Sequence, residues 1–189
     1  MCLAGSPRRG GNTDRLLDEA ISGACGSGVQ IKHVVLGDLQ IAPCQNCGGC
    51  TQTGGRCIVE DDMQWLYQDL REFDRFILAS PVFFMGVAAQ AKAMIDRCQA
   101  LWVLKYVLKQ QVGLHTGVPR KGIFISVGGR NYTDLFTGSL ATVKSWFKTL
   151  DAEYSGELLV PSTDTYNAIS SNTAALKEAF SLGRQLVTP

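Results

Sequence analysis

Two runs, Arg75–Ala79 (R-F-I-L-A) and residues 121–127 (K-G-I-F-I-S-V), are apolar at nearly every position rather than at alternate ones. A strand with one wet face alternates; a strand apolar on both faces belongs to a parallel sheet covered on both sides. Helical spacing separates such runs. In residues 12–25, for example, Leu16, Leu17, Ala20, Ile21 and Ala24 share one face. The pattern predicts strands at 1–4, 29–36, 75–79, 121–127 and 152–160, and helices at 12–25, 61–73, 88–111, 135–150 and 172–187. Five strands alternating with five helices predict an α/β domain with a parallel sheet. In such sheets ligands bind beyond the carboxyl ends of the strands.

Composition narrows the function classes. The 189 residues suit one domain, taken as 1–189, and 46% hydrophobic with 19% charged residues is ordinary for a globular chain. Eighteen basic against 17 acidic residues leave a formal charge of +1, without basic blocks, which argues against nucleic acid and anionic membranes as partners. The longest uncharged apolar stretch, 76–91, contains Ser80 and Pro81 and is too short to span a bilayer. The chain opens on a strand and a glycine-rich turn with Arg8 and Arg9, where a signal peptide needs an apolar run. The expectation is a soluble, cytoplasmic protein.

Three loops at strand ends carry the candidate ligand chemistry. The first reads G-S-P-R-R-G-G-N-T (5–13) and opens a helix, the arrangement of a phosphate cradle. Its Gly5-to-Gly10 spacing imitates a Walker loop, but Gly11-Asn12 stands where Lys-Ser/Thr is needed, and no G-x-G-x-x-G is present. A single phosphate held without metal, as in a mononucleotide, fits best. The second loop, S-P-V-F-F-M-G-V (80–87), offers flat and polarizable side chains to a ring, with Gly86 for close backbone approach. The third, S-V-G-G-R-N-Y (126–132), adds backbone donors.

Seven cysteines stand out. Cys44, Cys47, Cys50 and Cys57 lie in one glycine-rich loop, 37–59, as C-x2-C-x2-C-x6-C. Three closely spaced thiolates can wrap one face of a cubane, with the fourth completing a [4Fe–4S] ligand set. Zinc is the runner-up, since structural zinc favours two separated C-x2-C pairs, and redox-active or unliganded thiols are the remaining option. Cys2, Cys25 and Cys98 read as small buried hydrophobes. His33 and His115 have no neighbours that suggest a triad or metal pair, and Lys92 and Asp96 read as an i,i+4 ion pair.

The loop at 5–13, the cysteine motif, S-P-V-F-F-M-G with A-Q-A-K-A-M-I-D-R (89–97), I-S-V-G-G (125–129) and the ending A-L-K-E-A-F-S-L-G-R (175–184) together resemble the iron–sulfur flavoprotein family. That family is a branch of the flavodoxin-like NAD(P)H-dependent FMN reductases. The resemblance implies a doubly wound five-stranded parallel sheet of order 2-1-3-4-5, with the cysteine loop after strand 2. It implies FMN phosphate on Ser6, Arg8, Gly10, Gly11, Asn12 and Thr13. The isoalloxazine would lie against Pro81, Val82, Phe83, Phe84, Met85, Gly86 and Val87, with further contacts from Gly128 and Gly129. A [4Fe–4S] cluster would sit on Cys44, Cys47, Cys50 and Cys57. Phe84 stands where related loops often carry tyrosine, so a hydroxyl contact is lost.

The implied function is an FMN-dependent oxidoreductase exchanging electrons between FMN and the cluster, with no catalytic residue beyond the cofactors. NAD(P)H or a ferredoxin would donate electrons, and the protein would form a homodimer or homotetramer. Two alternatives stand beside it: an NAD(P)H-dependent FMN or quinone reductase with zinc or nothing on the cysteines, and a non-catalytic carrier or redox sensor.

Overall fold

A computed structural model describes residues 1–26, 28–115, 117–165 and 168–188. The chain runs β1 (Cys2–Ala4), α1 (Asn12–Ala24), β2 (His33–Val35), α2 (Gly49–Gln52), α3 (Met63–Glu72), β3 (Arg75–Ala79), β4 (Val82–Phe83), β5 (Gly86–Val87), α4 (Ala89–Arg97) and α5 (Gln99–Trp102). It continues through β6 (Arg120–Val127), α6 (Thr137–Thr149), β7 (Ala152–Val160) and α7 (Thr173–Val187). The main sheet is parallel, in the order β2-β1-β3-β6-β7. With the small β4–β5 hairpin set aside, this is the expected 2-1-3-4-5 order of a flavodoxin-like fold.

Both faces of the sheet are buried, which is why its central strands lack polar alternation. Phe76, Leu78 and Phe124 point into a layer with Leu66, Leu70, Trp146 and Phe147, all from α3 and α6. Ile77, Ile123 and Ile125 point the other way, onto Leu16 and Leu17 of α1 and Ala179 and Leu186 of α7. The helices α1 and α7 touch at two glycines. A β-carbon on Gly23 would fall 1.9 Å from the Phe180 carbonyl oxygen, and one on Gly183 would fall 1.8 Å from that of Ala20.

Four elements depart from the sequence reading, one of them the short helix α2 inside the expected loop 37–59. The second strand keeps only His33–Val35 of the predicted 29–36, because an edge strand follows just the three residues of β1. The loop at 80–87 folds into an antiparallel hairpin, Val82 opposite Val87 and Phe83 opposite Gly86. The predicted helix at 88–111 breaks at Cys98 and resumes as α5, then widens into a π-helical turn at Val103–Val107. Residues 97 and 98, 100 and 101, and 103 and 104 are buried along this kinked stretch.

Candidate functional site

The carboxyl ends of the strands converge on a cavity of about 340 Å³, within the usual range for a bound cofactor. The loop after β1 supplies Ser6, Arg8, Gly11, Asn12 and Thr13, and the loop after β3 supplies Pro81, Val82 and Phe83. Val127 and Gly129 come from the end of β6. Helix α1 begins here, and its N-cap residue Gly11 offers no side chain to its first amides. A helix start leaves its first N–H groups without intrahelical partners and carries a partial positive charge. An anion completes such an end, so the residues present fit a phosphate.

The loop is held open by its own bonds. Ser6 Oγ donates to the Arg8 carbonyl at 3.0 Å and accepts the Arg8 N–H at 3.2 Å. The Gly10 N–H donates to Asp14 Oδ2 at 2.8 Å, with Gly10 in the left-handed region at φ +62°. At the second loop, the buried Ser80 Oγ accepts the Ala88 N–H at 2.9 Å, and Ser126 Oγ donates to the Ser80 carbonyl at 2.7 Å. These bonds fix where the hairpin leaves the sheet.

The wall has a fourth side that the sequence reading missed. Thr163 and Asp164, from the segment after β7, line the cavity. The rule that pointed to the other strand ends applies equally to this polar stretch. Asn12 ties it down: its side-chain amide donates to the carbonyls of Thr163 (3.2 Å) and Thr165 (3.1 Å), and its Oδ1 accepts the Ile169 N–H (3.2 Å). Both side-chain N–H donors of Asn12 are therefore taken by the protein, so a phosphate would meet only its backbone N–H.

Several expected contacts lie off the wall. Gly10 and Gly128 support it from behind; Gly128 accepts from both the Thr163 N–H and Oγ1. Phe84 and Met85 form the hairpin tip with φ of +49° and +65°, and Phe84 is fully exposed. Val87 is buried in the core. A β-carbon on Gly86 would meet only the Phe83 carbonyl oxygen, at 3.7 Å, among the protein's own atoms.

Cys44, Cys47, Cys50 and Cys57 all line a second, smaller cavity of about 70 Å³, together with Arg97 and Val103. Left-handed Gly48 starts α2, which carries Cys50, and left-handed Gly54 and Gly55 turn the chain toward Cys57. Among the described residues, no three His, Cys, Asp or Glu side chains converge tightly enough to hold one metal ion. Burial pushes the Cys50 thiol pKa up, and the neighbouring Cys57 and Cys44 add to it.

The two limbs of the cysteine loop are pinned to one buried ion pair. Arg97 donates to Asp61 at 2.5 and 3.1 Å, to the Ala42 carbonyl at 2.9 Å and to the Val59 carbonyl at 3.2 Å. Asp61 in turn accepts the N–H groups of Ala42 and Met63. Burial works against the Asp61 charge, but Arg97 and the two amides outweigh it and hold the carboxyl below its usual pKa. Tyr67 donates to the Arg97 carbonyl at 2.6 Å; burial raises its pKa, with Cys98 and Cys57 contributing. Of the other cysteines, Cys2 and Cys98 are buried as expected, whereas Cys25 is exposed. Lys92 and Asp96 form the expected pair at 2.8 Å.

A larger cavity of about 670 Å³ lies at the opposite, amino-terminal ends of the strands, lined by Met1, Lys32, Asp69 and Arg75 among others. Open α/β sheets bind their ligands at the carboxyl ends of the strands, the opposite edge.

A family model described as NADPH-dependent FMN reductase matches residues 1–148. The chain belongs to that family. An iron–sulfur flavoprotein of Methanosarcina thermophila is 34% identical over 122 residues, covering 64% of this chain and 63% of that protein. Another, from Methanocaldococcus jannaschii, is 35% identical over 122 residues, covering 64% and 62%. The match thus spans just under two thirds of those relatives' length. The structure of an NAD(P)H:quinone oxidoreductase from Methanothermobacter marburgensis superposes with a TM-score of 0.71 at 14% identity, covering 100% of this chain and 96% of that one. The Trp repressor binding protein of Bacillus subtilis gives 0.65 at 23% identity, covering 100% and 98%. At those identities the structures speak for the fold alone. Among the described residues, no helix is long and apolar enough to cross a membrane.

Proposed function

We propose that the chain is a single flavodoxin-like domain that works as an FMN-dependent oxidoreductase, exchanging electrons between FMN and a [4Fe–4S] cluster. The observation that carries this reading is the pairing of a phosphate-accepting strand-end cavity with a second cavity lined by all four motif cysteines. The names of the curated relatives support the same pairing. FMN would supply chemistry that takes electrons in pairs or singly, and the cluster chemistry that passes them one at a time.

The protein's part is to bind and orient. The amides at the start of α1 with Ser6, Arg8, Gly11, Asn12 and Thr13 would hold the phosphate, and Pro81, Val82 and Phe83 with Gly129 would flank the ring, while Gly10, Phe84 to Val87 and Gly128 shape the loops that carry them. Cys44, Cys47, Cys50 and Cys57 would bind iron. Each thiolate of a cubane binds a different iron, so the four need not converge on one point as a single zinc ion demands. That favours the cluster over zinc.

A second reading, an NAD(P)H-dependent FMN reductase without a cluster, draws on a Bacillus subtilis relative named as a putative NAD(P)H-dependent FMN-containing oxidoreductase, 29% identical over 131 residues. Single Cys→Ser variants at the four positions, purified anaerobically, separate the two. Each should lose iron while keeping FMN, and Cys98→Ser should lose neither. Full iron in any of the four variants, or its loss in the Cys98 control, overturns the assignment.

A further inference from the structure

Arg97 sits in the wall of the four-cysteine cavity with its side chain wholly buried. A guanidinium has five N–H groups. Four of them are used: two on Asp61, one on the Ala42 carbonyl and one on the Val59 carbonyl. The fifth, on Nε, is buried and has no partner among the described residues. Leaving a buried charged donor unsatisfied costs more than an ordinary hydrogen bond gains, so an orphan here marks a position where an acceptor belongs. Cys57 lines the same small cavity as Arg97. Ala42 and Val59 each stand two residues outside the cysteine run, so the same side chain clamps both ends of the loop.

We propose that Arg97 is the positioning residue of the cysteine-held group. It closes the loop through Ala42 and Val59, and its Nε–H donates to a sulfur of the cluster, raising the cluster's reduction potential. The inference rests on the cluster reading above and adds a residue that the cysteine spacing does not reveal. A donor to cluster sulfur favours the more negatively charged reduced state, and hydrogen bonds to sulfur are among the protein's main controls on such potentials.

The test uses the full chain, purified anaerobically with its cofactors, as wild type and as Arg97→Lys. Lysine keeps the positive charge beside Asp61 but removes the Nε–H. Reductive titration would follow the cluster by electron paramagnetic resonance and the flavin by absorbance. The expected result is a tenfold shift of the cluster's one-electron equilibrium toward the oxidised form, about 59 mV, with the FMN couple unmoved. Where Arg97→Lys fails to fold, the double variant Asp61→Asn/Arg97→Met removes donor and buried charges together, a replacement such pairs often tolerate; it should lower the cluster potential at least as far. An unchanged cluster potential in a variant that retains its iron, or an equal shift in both couples, overturns the proposal. Wild type lacking iron and sulfide would instead overturn the cluster reading, so the two failures are distinguishable.

Discussion

Asn12 shows how one side chain can hold a cavity wall in place. Its carboxamide donates to the carbonyls of Thr163 and Thr165 and accepts the Ile169 N–H, stapling the fourth wall of the strand-end cavity to the loop after β1. Asn12→Ala should therefore destabilise the flavin-free protein by about 1–3 kcal/mol, from three hydrogen bonds of ordinary worth. Urea unfolding of the apo-protein measures this; unchanged apo stability, with only FMN affinity reduced, would restore a direct phosphate role. The sequence flagged Asn12 through its place after Gly10-Gly11, but its partners lie some 150 residues away and carry no local signal. Arg97 was equally hidden. It stands in a recognisable motif, yet its function depends on Asp61 and on carbonyls that only folding brings to it.

At the scale of elements, two close contacts set the constraints. The helices α1 and α7 approach at Gly23 and Gly183, each of which faces the other helix's backbone rather than a movable side chain. Gly183→Ala should cost at least about 1–3 kcal/mol, the usual toll of overpacking. A loss within error of zero in thermal or chemical unfolding would show that the helices can part at no cost. The hairpin poses the opposite case. Its tip puts Phe84 and Met85 in the left-handed region, where two-residue hairpin turns favour Asn-Gly. Replacing Phe84-Met85 by Asn-Gly should stabilise the apo-protein by about 1–3 kcal/mol through relief of that strain. Lower stability would mean that the tip makes contacts worth more than the strain. Neither tip position carries a turn-forming residue, which is why V-F-F-M-G-V reads as a loop in the sequence. The break in the long helix was not legible either, because residues 100–104 and 106–108 are apolar throughout and give no sign of where the helix changes pitch.

For the whole molecule, the sheet was the most legible part, because burial on both faces imposes apolar runs such as Phe76–Ala79 that few other folds explain. Strand ends then pointed to three of the four walls of the strand-end cavity, and the cysteine spacing pointed to four residues that line the second cavity. The two cavities share no wall residue, so the account expects their contents to be independently removable. Chelation that strips the iron should leave FMN bound. We further expect at least a homodimer, through the half-exposed surface bearing Trp102 and Val107; a monomer mass by light scattering at micromolar concentration would exclude it. The central claim, that a flavin and a cluster share this chain, is tested most directly by quantifying iron, acid-labile sulfide, zinc and flavin in the anaerobically purified wild type. The account predicts about four iron and four sulfide per chain, about one FMN and no zinc. One zinc per chain with no sulfide, or FMN with neither metal, would contradict it.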